Sequence, residues 1–442
     1  MTLAGKNVVV AGLGKSGRAA YELLDKMGAK VCLYDGKEDL DISGYDVPVY
    51  LGTIPETVLA ALDCAVFSPG VPLDIPVAEA LREKKIPIIG EIELAFMAEK
   101  GSVIGITGTN GKTTTTTLVG EIMRAFNEET FVVGNIGNPY TKEVGKTTEH
   151  SVTVAEISSF QLETIERFCP KVSAVLNITP DHLNRHKTME CYIATKLKIA
   201  KNQTEKELCV LNYEDEVLRD CAAGLPCRTV FFSSRQKIEN GLYQNEKKDI
   251  VDGATGKVLM NMSESNIPGD HNCENIMAAI LMTREMGVPM DTIIEVVRGF
   301  QAVEHRVEYV KTVNGVAYYN DSKGTNPDAA IKGIQSMSRP TVLIGGGYDK
   351  GGEFDEWIQA FDGKVKKLLL LGATRERIAE TAERNGFTEY EYADSLEQAV
   401  KRAAELAVDG DAVLLSPACA SWDMFESYEQ RGHMFKDFVE SL

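Results

Sequence analysis

The stretch GITGTNGKTTTTT, from Gly105 to Thr117, constrains the fold of this chain more than any other. A buried-strand pattern, SVIGIT, leads into it and a helical pattern follows it, so its glycines must form a turn between a strand and a helix. Gly108 and Gly111 permit backbone conformations in which successive N–H groups point at phosphate oxygens, and the helix start adds its positive end. The sequence therefore predicts an α/β domain that binds a nucleotide at this loop.

The spacing of this loop is unusual. The common phosphate-binding pattern is G-x-x-x-x-G-K-[ST], whereas here the position five before Gly111 is Ile106. Lys112 can still reach the β- and γ-phosphates, and the Thr113 hydroxyl can bind Mg²⁺. Because the glycine of the common pattern is missing from position 106, the loop differs from those of common GTPases and motor proteins.

Length and composition limit which classes of protein this chain can belong to. A chain of 442 residues suggests roughly three domains at about 150 residues each. The net charge of -18 would repel nucleic acid or an anionic membrane. The nine cysteines are scattered without a C-x-x-C pair, and no run of about 18 apolar residues occurs, which favours a reduced compartment and no membrane span. We expect a cytoplasmic, monomeric protein with small-molecule partners.

The pattern of strands and helices predicts three α/β domains in series, over residues 1–93, 94–298 and 299–442. The first opens with a βαβ unit, the second contains the phosphate loop and a strand-rich peripheral sheet near 230–262, and the third again alternates strands with helices. The fold class is therefore α/β, with Rossmann-like domains at both ends and a P-loop-type ATPase domain between them.

The first βαβ unit carries GLGKSG, which satisfies G-x-G-x-x-G from Gly12 to Gly17, and Asp35 ends the next strand. This pattern supports a nicotinamide-dinucleotide site. The segment up to Glu93 is short for a complete dinucleotide fold, so the same turn could equally bind a different nucleotide diphosphate.

Other polar residues follow predicted strands. Glu156 ends SVTVAE and His182 lies after the next strand, so both could bind metal beside the phosphates. Lys196 lies on a helix with Lys198 and Lys201, and spacing alone favours a solvated basic face. Polar residues after strands of the last domain predict a ligand-binding rim, although ordinary turn chemistry explains any one of them. These residues are Asp321, Ser322, Lys323, Thr325, Asn326, Lys350, Ser416 and Ser421.

Taken together, GTNGKTT, VAEISSFQLE, TPDHLNRH, YIATKLKIA, DSKGTNP and LLSPACAS resemble the Mur ligase family, over essentially the whole chain. The resemblance implies an ATP-dependent amide ligase of peptidoglycan precursor synthesis. DSKGTNP and LLSPACAS point to the member that adds D-glutamate to UDP-N-acetylmuramoyl-L-alanine, because a lysine- or diaminopimelate-adding member would carry a different amino-acid pocket.

The resemblance also implies residue roles. Thr113 and Glu156 would hold one Mg²⁺, and His182 would hold a second with Lys196, whose amine would be carbamylated by CO₂. The implied catalytic residues are Lys112, Glu156, His182 and Lys196. The implied ATP contacts are Gly108, Thr109, Asn110, Gly111, Lys112, Thr113, Thr114, Asn272, Asn275, Arg306, Asp321 and Lys323.

For the two other substrates, the resemblance makes GLGKSG part of a UDP site, not a redox site. The implied UDP-substrate contacts are Gly14, Lys15, Ser16, Asp35, Gly36, Lys37, Gly70 and Asn135, and the implied D-glutamate contacts are His182, Thr325, Lys350, Ser421 and Tyr428. Lys37 stands where some relatives carry arginine, and Tyr428 where the family more often carries phenylalanine.

Three rival interpretations remain open at this point. Another superfamily member, such as a folylpolyglutamate synthase, would need no uridine pocket. An NAD-dependent oxidoreductase built on GLGKSG would leave the phosphate loop unexplained. An ATP-switched interaction protein would not turn over with a small amine.

Overall fold

The computed structural model of the protein describes residues 3–267, 269–301 and 303–442. Its strands form three sheets within these ranges. The chain divides into two compact units. The first comprises Met1–Ile178, Arg185–Glu264 and Cys273–Gly299, and the second comprises Thr179–Asn184, Ser265–Asn272 and Phe300–Leu442.

The first sheet is parallel throughout, with the order β3-β2-β1-β4-β5. The direction of winding reverses between β1 and β4, which is where open α/β sheets bind ligands. The strands are β1 Asn7–Ala11, β2 Lys30–Asp35, β3 Val49–Leu51, β4 Cys64–Phe67 and β5 Ile88–Gly90, and the helices are α1 Lys15–Lys26, α2 Glu56–Leu59, α3 Pro76–Glu83 and α4 Glu91–Ala98.

The second sheet has the order β14-β13-β12-β11-β10-β9-β6-β8-β7. Its strands are β6 Ser102–Thr107, β7 Thr130–Gly134, β8 Val152–Glu156, β9 Val172–Val175, β10 Leu208–Asn212, β11 Arg228–Ser233, β12 Gly241–Gln244, β13 Asp249–Asp252 and β14 Val258–Asn261. It is parallel from β7 to β12 and antiparallel from there to β14. The strands predicted as a peripheral sheet thus extend one edge of the central sheet.

The helices of this region begin with α5, which follows the phosphate loop directly. They are α5 Lys112–Phe126, α6 Tyr140–Glu143, α7 Ser159–Leu162, α8 Leu183–His186, α9 Met189–Leu197, α10 Glu216–Ala222, α11 Asp270–Glu285 and α12 Met290–Gly299, with 3-10 turns at Val144–Lys146, Lys198–Ala200 and Met262–Glu264. Across the described ranges, no helix has the length and apolarity needed to cross a membrane.

The third sheet has the order β15-β16-β20-β17-β18-β19 and is parallel except for β15. Its strands are β15 Glu308–Val313, β16 Val316–Asn320, β17 Thr341–Gly345, β18 Val365–Leu370, β19 Tyr390–Tyr392 and β20 Ala412–Leu415, and its helices are α13 Pro327–Gln335, α14 Asp355–Gln359, α15 Arg375–Arg384, α16 Leu396–Leu406 and α17 Tyr428–Glu440. Residues of β17 alternate between two cores, Leu343 in one and Val342 and Ile344 in the other, so both faces of the sheet are covered.

Helix α4 joins the first two sheets and contains position 93, where the sequence predicts a domain boundary. Glu93 is buried, and its carboxylate accepts hydrogen bonds from the backbone N–H groups of residues 166, 167 and 168. Glu91 is also buried and accepts from the amide and hydroxyl of Thr141, and burial raises the pKa of its carboxyl. One core cluster runs through both sheets, so they pack as one unit.

We predict that Gly17→Ala destabilises the first unit by about 2 kcal/mol or more, because the new Cβ would lie 1.7 Å from the Gly12 carbonyl oxygen. Gly14→Ala is the matched control in the same turn, since nothing lies within 4 Å of its added Cβ. It should cost no more than about 1 kcal/mol. Chemical denaturation of the two variants measures the difference, and equal losses would contradict this account of the turn.

Candidate active site

The phosphate loop follows β6 and is held by one asparagine. Asn177, just beyond the end of β9, accepts from the Thr109 amide through its carbonyl oxygen at 2.9 Å and from the Asn110 amide through Oδ1 at 2.8 Å. Its Nδ2 donates back to the Asn110 carbonyl at 3.2 Å. A Cβ on Gly111, whose φ is +82°, would lie 2.4 Å from Oδ1 of Asn275. Asn177 therefore fixes the loop on one side, and Asn275 packs closely against Gly111 on the other.

Two ammonium groups converge on the Gly108 carbonyl oxygen. Lys112 Nζ donates to it at 2.9 Å and to the Thr109 carbonyl at 2.8 Å. Lys196 Nζ donates to the same Gly108 oxygen at 2.8 Å and lies 4.6 Å from the centroid of the Tyr192 ring. The loop therefore carries a concentration of positive charge where the sequence predicts phosphates.

Lys196 is buried, with 1% of its surface exposed, so the solvated basic face favoured by spacing alone is wrong. The nearby lysines are also engaged with protein, because Lys198 Nζ donates to the Glu163 carbonyl and Lys201 Nζ to the Ile165 carbonyl. The physical reason is tertiary. Helix α9 and the 3-10 turn after it pack against the phosphate loop and the segment following β8, which buries Lys196 and leaves Lys201 as the exposed member of the three.

Four buried side-chain oxygens in or beside the loop segment have no hydrogen-bond partner among the described residues; besides those of Thr107 and Thr116, two belong to predicted metal ligands. These two are Oγ1 of Thr113, in the first turn of α5, and Oε2 of Glu156, the last residue of β8. Parallel pairing of β6 with β8 places Glu156 opposite Ile106, one strand from the loop. The other carboxylate oxygen, Oε1, accepts from Asn135 Nδ2 at 2.8 Å. Orphaned buried oxygens are rare, and this donor set fits Mg²⁺.

The glycine turn of the first sheet lies where its winding reverses. The Asp35 carboxylate accepts from the Leu13 amide at 2.9 Å and from the Lys37 amide at 3.0 Å. Ser68 Oγ donates to the Gly12 carbonyl at 2.8 Å, which ties this turn to the segment after β4. Gly14 to Ser16 form the start of α1, so the predicted UDP contacts Gly14, Lys15, Ser16, Asp35, Gly36 and Lys37 share one sheet edge.

In the second unit, Asp321 is buried directly after β16. It accepts from Ser416 Oγ at 2.7 Å and from the Val307 amide at 3.3 Å, and burial raises its pKa to about 7. Lys323, two residues on, has its Nζ 4.8 Å from the centroid of the Tyr428 ring. The predicted Asp321, Lys323 and Tyr428 are thus positioned by one strand end and the start of α17.

A cavity of about 560 Å³ in the second unit is lined by two predicted ATP residues, Asn272 and Arg306. Arg306 Nε is buried without a hydrogen-bond partner in the described chain. His305 and Val307, on either side of Arg306, have φ values of 66° and 45°, which are strained for residues other than glycine. His271 also lines the cavity, and its burial, with Lys332 and Arg306 nearby, lowers its pKa to about 4.

The segment Thr179–Asn184 belongs to the second unit, and Asp181 makes several of its polar contacts. Its carboxylate accepts from Lys350 Nζ at 3.3 Å and from Asn326 Nδ2 at 3.3 Å, and lies 3.6 Å from His182 Nε2. The structure therefore brings the predicted His182 and Lys350 to one carboxylate. Of the remaining predicted D-glutamate contacts, Tyr428 is described above, the Thr325 amide donates to the Lys323 carbonyl, and Ser421 is buried after β20.

Arg431 is a buried residue beside two predicted site loops, and the sequence reasoning missed it. It is 2% exposed, and its guanidinium donates to Ser322 Oγ at 3.0 Å, the Ser322 carbonyl at 2.7 Å and the Cys419 carbonyl at 3.2 Å. Burial lowers its pKa to about 10. Arg431 thereby joins the two loops that carry the predicted Lys323 and Ser421, and an arginine inside a helix gives no local signal of that role.

Asn177 and Tyr192 were also missed. Asn177 follows a buried strand, which is the same signal that selects Glu156. Tyr192 lies four positions before Lys196 on α9, and its hydroxyl is 3.1 Å from Thr109 Oγ1. Helical spacing places residues four apart on one face, so Tyr192 could have been inferred once Lys196 was placed at the loop.

Three family models match the chain in order. They are the Mur ligase MurD-like N-terminal domain over residues 6–90, the Mur ligase middle domain over residues 106–283, and the Mur ligase glutamate ligase domain over residues 305–419. The shifted phosphate loop and the three α/β sheets thus fall in a known family of ligases. The chain belongs to the Mur ligase family.

Relatives of higher sequence identity share one name. The chain is 55% identical to the UDP-N-acetylmuramoylalanine–D-glutamate ligase of Lachnospira eligens, covering 100% of both chains, and 47% identical to that of Clostridioides difficile, again covering 100% of both. Among solved structures, it is similar to the UDP-N-acetylmuramate-alanine ligase MurC of Thermotoga maritima, with 18% identity, a TM-score of 0.64 and 99% coverage of both chains. It is also similar to the MurF ligase of the same organism in complex with ADP, with 18% identity, a TM-score of 0.63, and coverage of 99% of this chain and 96% of that one.

We predict that the second unit loses stability as the pH rises towards neutrality, because of Asp321. Its pKa is raised from 3.8 in the unfolded chain to about 7 in the folded one, so the folded state binds the proton more tightly. The resulting stabilisation is complete below about pH 4 and is lost as the pH rises through about 7. Asp321→Asn keeps an acceptor for the Val307 amide in its Oδ1 and can donate from Nδ2 to Ser416 Oγ, but it cannot titrate.

The measurement is thermal unfolding between about pH 5 and about pH 8. Wild-type protein should lose on the order of 2 kcal/mol more than Asp321→Asn over this interval. Parallel pH profiles for the two proteins would mean that Asp321 is already ionised in the folded state at neutral pH.

Proposed function

We propose that this protein is an ATP-dependent ligase that joins D-glutamate to UDP-N-acetylmuramoyl-L-alanine, with ADP and phosphate as the other products, in peptidoglycan precursor synthesis. The observation that carries the proposal is the loop site, where Lys112, Thr113 and Glu156 are arranged for a nucleotide and a metal in a chain 55% identical to a ligase of that name. We place the reaction in the cytoplasm, with the protein acting as a monomer.

The chemistry joins two anions, so it depends on neutralising charge. The alanyl carboxylate oxygen attacks the γ-phosphorus of ATP, and ADP leaves with the electrons of the broken P–O bond. The amine of D-glutamate then attacks the acyl carbon of the resulting acyl phosphate, loses a proton, and phosphate departs as the amide forms. ATP phosphate oxygens would replace the carbonyls of Gly108 and Thr109 as acceptors for Lys112.

We assign the nucleotide's phosphates to the loop from Gly108 to Thr114, and its base and ribose to Asn272, Asn275, Arg306, Asp321 and Lys323. The cavity lined by Asn272 and Arg306 supports the second assignment, because it is large enough for a purine nucleoside. The buried, unpartnered Nε of Arg306 is a donor available to a ribose or phosphate oxygen.

The muramoyl substrate would bind through its UDP group at the turn from Gly14 to Lys37, at Gly70 and at Asn135. Gly14 and Gly70 have nothing within 4 Å of an added Cβ, so their backbones are open to a ligand. D-glutamate would bind through His182, Thr325, Lys350, Ser421 and Tyr428. Lys350 already pairs with the carboxylate of Asp181, which supports a preference for an anionic amino acid.

Mg²⁺ would neutralise the phosphates and the developing charge when bound. Thr113 Oγ1 and Glu156 Oε2 would hold one ion, since both are buried oxygens without partners in the described chain. His182 would contribute its imidazole to a second ion. Asn135 holds Glu156 in place through Oε1, which leaves Oε2 for the metal.

We further propose that Lys196 is carbamylated. Its Nζ is buried 2.8 Å from the Gly108 carbonyl, beside a loop built for phosphates. A carbamate there would place a negative charge close to the negative phosphates of the nucleotide. A divalent cation would be needed to bind both groups. The reaction adds CO₂ to the neutral amine and releases one proton.

The proposed activity predicts phosphate release from ATP and Mg²⁺ with UDP-N-acetylmuramoyl-L-alanine and D-glutamate. L-glutamate, meso-diaminopimelate and L-lysine should give background rates, since each changes the stereochemistry or the charge of the amino acid that Lys350 would meet. Release with another amine would support the ligase activity but refute D-glutamate as the amine donor. No release from folded protein with any of the four would refute the ligase assignment.

Replacing a carboxylate at the proposed metal site, and another away from it, provides a control for that assay. Glu156→Gln should raise the Mg²⁺ concentration needed for half-maximal rate by about ten-fold or more, because a neutral amide replaces a charged ligand. Glu121→Gln, the same chemical change at an exposed position of α5, should leave the Mg²⁺ requirement within about two-fold.

Carbamylation predicts that the rate depends on dissolved CO₂. Wild-type protein in CO₂-depleted buffer should lose activity and recover it on addition of bicarbonate. Lys196→Arg keeps the positive charge but cannot form the carbamate, so it should be slower by about a hundred-fold and insensitive to bicarbonate. Wild-type activity that does not change with CO₂, or a bicarbonate response in the variant, would rule out the modification.

A further inference from the structure

Arg185 makes a set of contacts that the proposed reaction leaves unexplained. Its Nη1 donates to the Pro69 carbonyl at 3.1 Å and its Nη2 to the Val71 carbonyl at 3.2 Å. These carbonyls flank Gly70, in the segment that follows β4. Gly70 itself is exposed, and nothing lies within 4 Å of an added Cβ. The guanidinium therefore holds the backbone on both sides of a residue whose outer face is open.

The other edge of the same guanidinium binds Glu163. Arg185 Nε donates to Glu163 Oε1 at 3.1 Å and Nη2 to Oε2 at 2.5 Å, and the group lies 4.3 Å from the centroid of the Phe160 ring. Both side chains are largely buried, with 16% and 14% of their surface exposed. A bidentate pair in such surroundings is strong and directional, so Arg185 has a single orientation.

Glu163 belongs to the segment that carries a proposed metal ligand. It follows directly on α7, whose capping box at Ser158 begins two positions after Glu156. Lys198 Nζ donates to the Glu163 carbonyl at 3.1 Å, on the turn after the helix of Lys196. Arg185 thus connects the segment around Gly70, in the first sheet's domain, to the region beside the phosphate loop, and all of these residues lie in one compact unit.

We propose that Arg185 is a positioning residue for the muramoyl nucleotide. By holding the carbonyls of Pro69 and Val71, it sets the backbone at Gly70 to receive the substrate's diphosphate, and through Glu163 it holds that backbone in register with the region beside the phosphate loop. Arginine is required because the role needs one planar group donating at two edges, which the point charge of lysine cannot supply. This inference rests on the function proposed above.

The test is steady-state kinetics of full-length Arg185→Lys with each substrate varied in turn. The KM for UDP-N-acetylmuramoyl-L-alanine should rise by about ten-fold or more, while the KM for ATP and for D-glutamate stays within about two-fold. Arg284→Lys is the matched control, because Arg284 also pairs with a carboxylate in this unit, Asp252 at 2.7 Å, but contacts no proposed site. It should leave all three KM values unchanged.

Glu163→Gln is a second variant, which leaves Arg185 itself unchanged. It provides the test if Arg185→Lys folds poorly. It should raise the KM for the muramoyl nucleotide in the same direction, and weaken binding of UDP alone measured by calorimetry. An unchanged nucleotide KM in either folded variant, or an equal rise in all three KM values, would overturn the positioning role. Because wild-type turnover is measured in the same series, an inactive wild type would instead refute the proposed function.

Discussion

The parallel pairing of β8, β6 and β9 is the constraint on which the active site of the first unit depends. Because parallel strands end at the same edge, the phosphate loop after β6 lies between Glu156, at the end of β8, and Asn177, after β9. Asn177 then fixes the loop through three hydrogen bonds, and Glu156 presents beside it a carboxylate oxygen that no described residue bonds. A change of strand order would scatter these groups.

The protein buries ionisable groups where hydrophobic residues would cost less free energy. Lys196, Glu156, Asp321 and Arg431 all lie in the interior of their units. Burying a charge costs several kcal/mol unless hydrogen bonds or an opposite charge compensate. Arg431 is compensated by carbonyls and Ser322, whereas Glu156 keeps one oxygen without a partner in the described residues. Such incomplete compensation is typical of a site that completes its bonding with a ligand.

Much of the fold was predictable because its signals are local. The predicted βαβ unit is observed, with its glycine turn leading into α1 Lys15–Lys26, and the predicted strand before the phosphate loop ends at Thr107. Lys196 shows where local reasoning fails. Its spacing with Lys198 and Lys201 resembles a basic surface, yet the chain buries it against Gly108, 88 positions away. Only the resemblance to the Mur ligases singled it out.

By itself, the sequence determined the α/β class, the phosphate loop with Lys112 and Thr113, and the residues at strand ends, because periodicity, glycine and chain direction act over a few neighbouring positions. The tertiary structure alone decided which of those ends meet. It set Asn177 on the loop, Glu156 opposite Ile106, Asp181 between His182 and Lys350, and Arg185 across Gly70 and Glu163. These contacts join residues distant in the chain, and strand order and helix packing are cooperative properties of the whole unit that no short pattern encodes.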